Sequence, residues 1–168
     1  MAKKPGSNKM SEEGYVHGYS AIEQDRLKYQ AQFTEQSIYG NLDLSGVAQL
    51  LEVGVGVGAQ SEIILRRFPQ IKITGIDQSE AQLTAAREFL NSKSYADQRF
   101  ELRQMDATNM DFESLSFDGA FVCWVLEHVP SPERVLSDVR RVLKKGAKVY
   151  ITEVMNHSFF LEPYSPNV

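Results

Sequence analysis

Residues 47–53 form an apolar run broken only by Gln49 and Glu52, and they lead directly into Gly54-Val55-Gly56-Val57-Gly58. A short run of this kind bounded by glycines reads as a buried strand. Three alternate glycines remove the Cβ atoms that would hold a ligand away from the backbone. A helix starting near Ala59 would aim its free N–H groups at the same place. A tight strand-to-helix turn that binds nothing fits the same residues, and that alternative stays open on this segment alone.

The pattern then repeats. Residues 59–68 form a helix closed by Pro69, 71–76 a second strand, and 79–90 a helix with Ala81, Ala85, Ala86 and Phe89 at helical spacing. Residues 99–105 and 117–122 supply two more strands. Ser131 is the expected N-cap of the next helix, with Pro132 at its first position. Val135, Leu136, Val139, Val142 and Leu143 give that helix one apolar face. Lys144 and Lys145 suit its negative end, and Gly146 would terminate it. Residues 147–154 form a fifth strand. Strands alternating with helices predict an α/β fold with a doubly wound, mostly parallel sheet covered on both faces. Ligands of such sheets sit at the carboxyl ends of the strands, near the switch in strand order.

The chain divides into four parts. Residues 1–14 are polar and form a flexible tail. Residues 15–44 hold a helix from Ser20 to about Gln36, with Ser20 and Glu23 as a capping box and Gly40-Asn41 at the exit. Residues 45–154 form the core, and 155–168 an irregular C-terminal tail. Composition narrows the function. With 168 residues, 42% hydrophobic and 24% charged, the chain has the makeup of one globular domain. A net charge of −4 gives no general attraction to phosphate backbones, so no nucleic acid partner is expected. The single cysteine, Cys123, forbids an internal disulfide, and no metal site is expected. No apolar run is long enough to span a membrane, and no signal peptide is evident. A soluble, cytoplasmic domain is the expectation.

Three acids fall where three successive strands end. Glu52 stands two residues before Gly54, where a carboxylate would repel a pyrophosphate but suit an ammonium or sulfonium. The G-x-G-x-G spacing also departs from the dinucleotide fingerprint. Asp77 ends the second strand and can accept both hydroxyls of a ribose; a helix N-cap is the competing role. Asp106 ends the third strand. It could accept from an adenine amine, with Ile76, Met105 and Ala107 against the ring, or it could be an ordinary aspartate in a solvated turn.

On these residues the chain resembles the class I S-adenosylmethionine-dependent methyltransferases, and within them the small-molecule subgroup. The resemblance covers about residues 47–154 and rests on LLEVGVGVGAQ, ITGIDQSEAQL, LRQMDATNM and the segment from FDGAFVCWVLEHVPSPERVL to KVYITE. It implies a Rossmann-like core binding S-adenosyl-L-methionine and releasing S-adenosyl-L-homocysteine. It implies that Glu52, Gly54, Val55, Gly56 and Gly58 hold the methionine portion. Asp77 and Gln78 would hold the ribose, Asp106 and Ala107 the adenine, and Cys123 would offer backbone near the sulfonium. It implies that the segment around Tyr15 and Tyr19, continuing through Glu23, Arg26, Leu27 and Gln30, is a lid helix. Tyr29 is expected to pack that helix onto the sheet.

The implied reaction is in-line transfer of the methyl group to a small-molecule acceptor. Candidate bases are His128, His17, His157 and Glu153; the resemblance implies that His128 is mostly structural, bonding to neighbouring backbone, with catalysis the alternative. Trp124 and Cys123 would line the substrate side, and Glu127 would contact substrate or cap the next helix region. The lone cysteine has nothing nearby in sequence to activate it as a nucleophile. The basic cluster of Arg134, Arg140, Arg141, Lys144, Lys145 and Lys148 reads as a solvated helix face. The family's usual sheet has seven strands, so two are expected to be missing after the fifth. A fragment of a longer enzyme, or association between copies through the exposed sheet edge, would account for this. Two other readings remain: a non-catalytic cofactor-binding module needing a partner, and an NAD-dependent oxidoreductase.

Overall fold

The computed structural model describes residues 21–154. In order, the elements are α1 (Ala21–Tyr39), β1 (Gln49–Val53), α2 (Ala59–Arg67), β2 (Lys72–Asp77), α3 (Glu80–Asn91), β3 (Phe100–Gln104), β4 (Phe117–Cys123), α4 (Pro132–Val142) and β5 (Leu143–Thr152). Short 3₁₀ turns occupy Ser94–Ala96 and Leu126–His128.

The five strands form one sheet in the order β3-β2-β1-β4-β5, and every pairing is parallel. β1 and β4 lie side by side in the middle, so their apolar residues are buried on both faces. Alternation along β1 separates two cores. Leu50 packs with α1, α2 and α3 on one face, whereas Leu51 and Val53 pack with Val135, Val139 and Val142 of α4 on the other. Glu52 therefore projects into the α1–α2 side, a polar group in an apolar layer. The chain turns back from β1 to β2 on one side and to β4 on the other, which opens a crevice at their carboxyl ends.

Local signals explain the helix boundaries. The Ser79 side chain accepts the Gln82 N–H at the start of α3. Gly40 donates to Gln36 O at the end of α1, which runs three residues past the expected Gln36. The Ser20–Glu23 box includes a residue outside those described. α4 begins with Pro132 at its first turn and Ser131 before it, although the Ser131 side chain makes no cap bond.

Four expectations need correction. Gly146 does not terminate α4. The helix stops at Val142 and passes straight into β5 at Leu143, and Gly146 (φ +80°) lies within an irregularity where Phe117 pairs with Leu143 but Gly119 pairs with Lys148. Lys144 and Lys145 are therefore not in the last helical turn. Leu136, at the margin of the apolar stripe, is only partly covered, at 37% exposed. Tyr29 does not pack α1 onto the sheet: it is 71% exposed and stands outward with Ile22 and Phe33, because Leu27 and Ala31 take the inner face. The basic cluster is only partly a solvated face. Arg141 reaches across to the carbonyls of Met110 (2.7 Å) and Phe112 (2.6 Å), while Lys144 and Lys148 pair with Asp118 and Asp43.

Candidate functional site

A cleft of about 880 Å³ opens at the carboxyl ends of the strands. Its floor is the loop after β1. Both Gly54 N–H and Val55 N–H donate to Ile76 O, at 2.8 and 3.0 Å, which folds the loop over the end of β2. Gly54, Gly56 and Gly58 all have positive φ (+70°, +52° and +77°). Each lacks a side chain for a different reason. A Cβ on Gly54 would lie 2.4 Å from Val125 Cγ2. One on Gly58 would press on Ala86 and Leu90 of α3 at 3.2–3.3 Å. One on Gly56 would meet nothing within 4 Å, and Gly56 borders the cleft. Only Gly56 leaves open space where a ligand could approach the backbone.

The three acids behave differently. Asp77 lines the cleft and spans its floor: Oδ2 accepts the Gly56 N–H and Oδ1 the Ser79 N–H, both at 2.9 Å. Burial raises its pKa against the opposing effect of these backbone donors. It is not the N-cap of α3, a place taken by Ser79. Asp106 also lines the cleft, where its Oδ1 accepts both the N–H and the hydroxyl of Thr108 at 2.8 Å. This turn anchors Asp106 by one oxygen and leaves Oδ2 outside it. Glu52 is only 2% exposed and does not border the cleft. The sheet's alternation sends its carboxyl under α2, where Ser61 Oγ donates to it at 2.5 Å. Burial, aided by the charge of Asp77, pushes its pKa up to about 8.

The other expected residues divide similarly. Val55, Gln78, Ala107 and Cys123 border the cleft, whereas Gly58 does not. From α1, Arg26, Leu27 and Gln30 reach it, with Arg26 also paired to Glu23 at 2.6 Å. Tyr15, Tyr19, His17 and His157 lie outside the described residues. Trp124, Glu127 and His128 line the far wall, with His128 Nε2 3.6 Å from Glu127 Oε1. Cys123 is buried and its thiol pKa is pushed far up by desolvation and by nearby Glu52, which removes it as a nucleophile. Glu153 stands behind this wall, accepting the N–H groups of Val125 and Leu126.

Some lining residues were not singled out from sequence. Gln60, Gln82, Thr108 and Val125 border the cleft, as does Arg134, which was expected only as part of a solvated helix face. Thr108 had a readable signal, because Asp-x-Thr spacing permits the turn it makes with Asp106. Gln82, buried inside α3, had none: helical periodicity does not show which polar side chain turns inward.

The arrangement matches known proteins. Residues 51–151 match the family described as "Methyltransferase domain". The phosphatidylethanolamine N-methyltransferase of Cereibacter sphaeroides is 39% identical over 109 residues, covering 65% of this chain and 50% of that protein. The demethylmenaquinone methyltransferase of Desulfitobacterium hafniense is 41% identical over 105 residues, covering 62% of this chain and 37% of that one. Among solved structures, Haemonchus contortus phosphoethanolamine N-methyltransferase 2 in complex with S-adenosyl-L-methionine superposes with a TM-score of 0.61 at 27% identity, over 74% of this chain and 28% of that one. The chain thus spans half or less of the length of these relatives. The parallel sheet, the glycine loop over its switch point and the matched segment agree, and the chain belongs to the class I S-adenosylmethionine-dependent methyltransferase family.

Proposed function

We propose that this chain binds S-adenosyl-L-methionine in the cleft and directs its methyl group to a small-molecule acceptor. The observation that carries the reading is the joining of Asp77 to the Gly56 amide across the cleft floor. It sets a half-buried carboxylate beside the one loop glycine whose missing side chain faces free space. The residues fit the cofactor. Asp77 retains lone pairs for the ribose hydroxyls. Asp106 Oδ2 can accept from the adenine amine, with Met105 and Ala107 beside it as apolar packing. The bare backbone at Gly56 admits the methionine portion. Glu52 lies behind the loop, bonded to Ser61, and supports the loop from outside the cleft.

The cofactor supplies an activated methyl group when bound. The protein then orients the two reactants and excludes water. Arg26, Leu27 and Gln30 close one side of the cleft, and the 15–44 region would act as its lid. In this reading His128, on the cleft wall, takes a proton where the acceptor must lose one. The small-molecule class is supported by the relatives, whose names specify phosphatidylethanolamine, demethylmenaquinone and phosphoethanolamine. The −4 charge gives no attraction for nucleic acid. Among the described residues no helix is long and apolar enough to cross a membrane.

Calorimetric titration with S-adenosyl-L-homocysteine tests the binding. We expect saturable 1:1 binding and no response to NAD. Binding of NAD in preference to the homocysteine nucleoside would overturn the assignment. Transfer of label from methyl-labelled cofactor to aminoalcohol phosphates and quinols would then identify the acceptor.

A further inference from the structure

β4 leaves the sheet at an unusual point. Trp124, the residue after the strand, has φ +55°, a left-handed conformation that bulky side chains seldom adopt. Its N–H still donates to Thr152 O at 2.8 Å, as the last rung of the ladder with β5. Beyond it the ladder ends, because the turn carries the next amides away from the strand. Glu153 takes over from the backbone there. Its single oxygen Oε1 accepts the N–H of Val125 at 3.1 Å and of Leu126 at 3.0 Å. The other oxygen, Oε2, is buried and has no hydrogen-bond partner among the described residues. A carboxylate kept inside with one oxygen unsatisfied has its use in what the other oxygen holds.

What it holds bears on the cofactor floor. Val125 is the residue whose methyl groups press on the bare face of Gly54. Gly54 in turn starts the loop that reaches Gly56 and Asp77. We propose that Glu153 is a positioning residue for the cofactor loop: it splices the β4 exit onto β5 and so fixes Val125 against Gly54. The proposal rests on the reading of that loop as the cofactor site. Glu153 touches neither cleft nor ligand and acts entirely through the two amides.

Reach and charge can be separated in the same protein. Glu153→Gln keeps an oxygen at the same distance and loses the charge. Glu153→Asp keeps the charge and is one methylene too short. Two quantities would be measured: affinity for S-adenosyl-L-homocysteine by calorimetry, and amide hydrogen exchange at Val125 and Leu126. If Glu153 positions the loop, the Gln variant binds within about threefold of wild type and keeps both amides protected. The Asp variant exchanges both amides at least tenfold faster and binds about tenfold more weakly. The opposite ranking, Asp like wild type and Gln impaired, would show that charge matters and would overturn the proposal. So would faster exchange in the Asp variant with unaltered affinity, since the clamp would then be only structural. If the wild type itself fails to bind, the cofactor reading falls with the proposal's link to affinity, while exchange at the two amides still reports whether the clamp exists.

Discussion

The Asp77 carboxylate and the Gly56 amide meet at 2.9 Å, although 21 residues separate them in the chain. β1 and β2 pair in parallel, with Val53 opposite Ile76, so their exits lie side by side and the acid of one closes onto the loop of the other. The bond pre-shapes the cleft floor before any ligand arrives.

Asp77→Ala removes that bond, the bond to Ser79, and the two acceptors proposed for the ribose. Hydrogen bonds to a charged group contribute about 1.5–3 kcal/mol each. Affinity for S-adenosyl-L-homocysteine should fall at least 30-fold while the far-ultraviolet circular dichroism stays native. Unchanged affinity in a calorimetric titration would refute the ribose assignment.

Glycine substitutions should separate folding from binding. Gly54→Ala places a methyl 2.4 Å from Val125 at φ +70°, so it should cost stability of order 2 kcal/mol or more, read by urea unfolding. Gly56→Ala meets no protein atom and should cost only about 1 kcal/mol of backbone strain. Its effect should appear mainly as lost cofactor affinity. Equal effects of the two on both measurements would contradict the division of labour among the glycines.

Glu52 gives the stability a pH dependence of definite sign. Its pKa rises from 4.5 to about 8 on folding, chiefly through burial. The folded state therefore holds a proton that the unfolded state has released. Stability is greatest below the unfolded value and falls as pH rises from about 4.5 to 8, with a slope of at most about 1.4 kcal/mol per pH unit. Asp77, also shifted upward by burial, adds to the same trend. Thermal unfolding of the ligand-free protein should shift downward between pH 5.5 and 8, and Glu52→Gln should flatten the slope. A melting temperature that climbs over this range would be inconsistent with a protonated Glu52.

Arg99 closes the far end of the sheet. Its guanidinium donates to the carbonyls of Leu65 (3.0 Å), Phe68 (2.7 Å), Ile71 (3.0 Å) and Tyr95 (2.8 Å). Lysine presents a single point of donation and cannot serve four carbonyls at once. Arg99→Lys should destabilise by about 2 kcal/mol and leave cofactor affinity unchanged, because the cluster lies away from the cleft. Stability within 0.5 kcal/mol of wild type by urea titration, on the order of experimental error for a surface change, would show that the carbonyls find other partners.

Cys123 should be inert in the native state. Buried beside Glu52 and Glu153, its thiol pKa is driven well above the ordinary range. Reaction with a disulfide reagent at pH 8 should be slow when folded and fast in urea. Rapid native labelling would contradict a Cys123 thiol held in its neutral form.

Among the described residues, the alternation of apolar runs and helical patterns was enough to place the four long helices and the first four strands, because each signal is local, whereas β5 begins at Leu143, inside the stretch read as the end of a helix. A buried strand needs a short apolar run, and a helix buried on one side needs its 3.6-residue stripe. The positions of Asp77 and Asp106 at strand ends followed in the same way, as did the glycine loop. Even the β4–β5 irregularity left a trace in Gly146, although it read as a helix end. Local pattern could not reveal which of two faces a strand residue occupies once both are buried. Glu52 was therefore expected among the ligand contacts, whereas the packing of α2 over that face encloses it with Ser61. Nor could it separate the three glycines, because what each Cβ would strike belongs to distant residues: Val125, Ala86 and Leu90, or nothing. Spacing along the chain determined where the backbone turns. Only the assembled sheet decided which side chains meet across those turns, because contacts such as Asp77 to Gly56 and Glu153 to Val125 are fixed by strand order and register, which no local run of residues encodes.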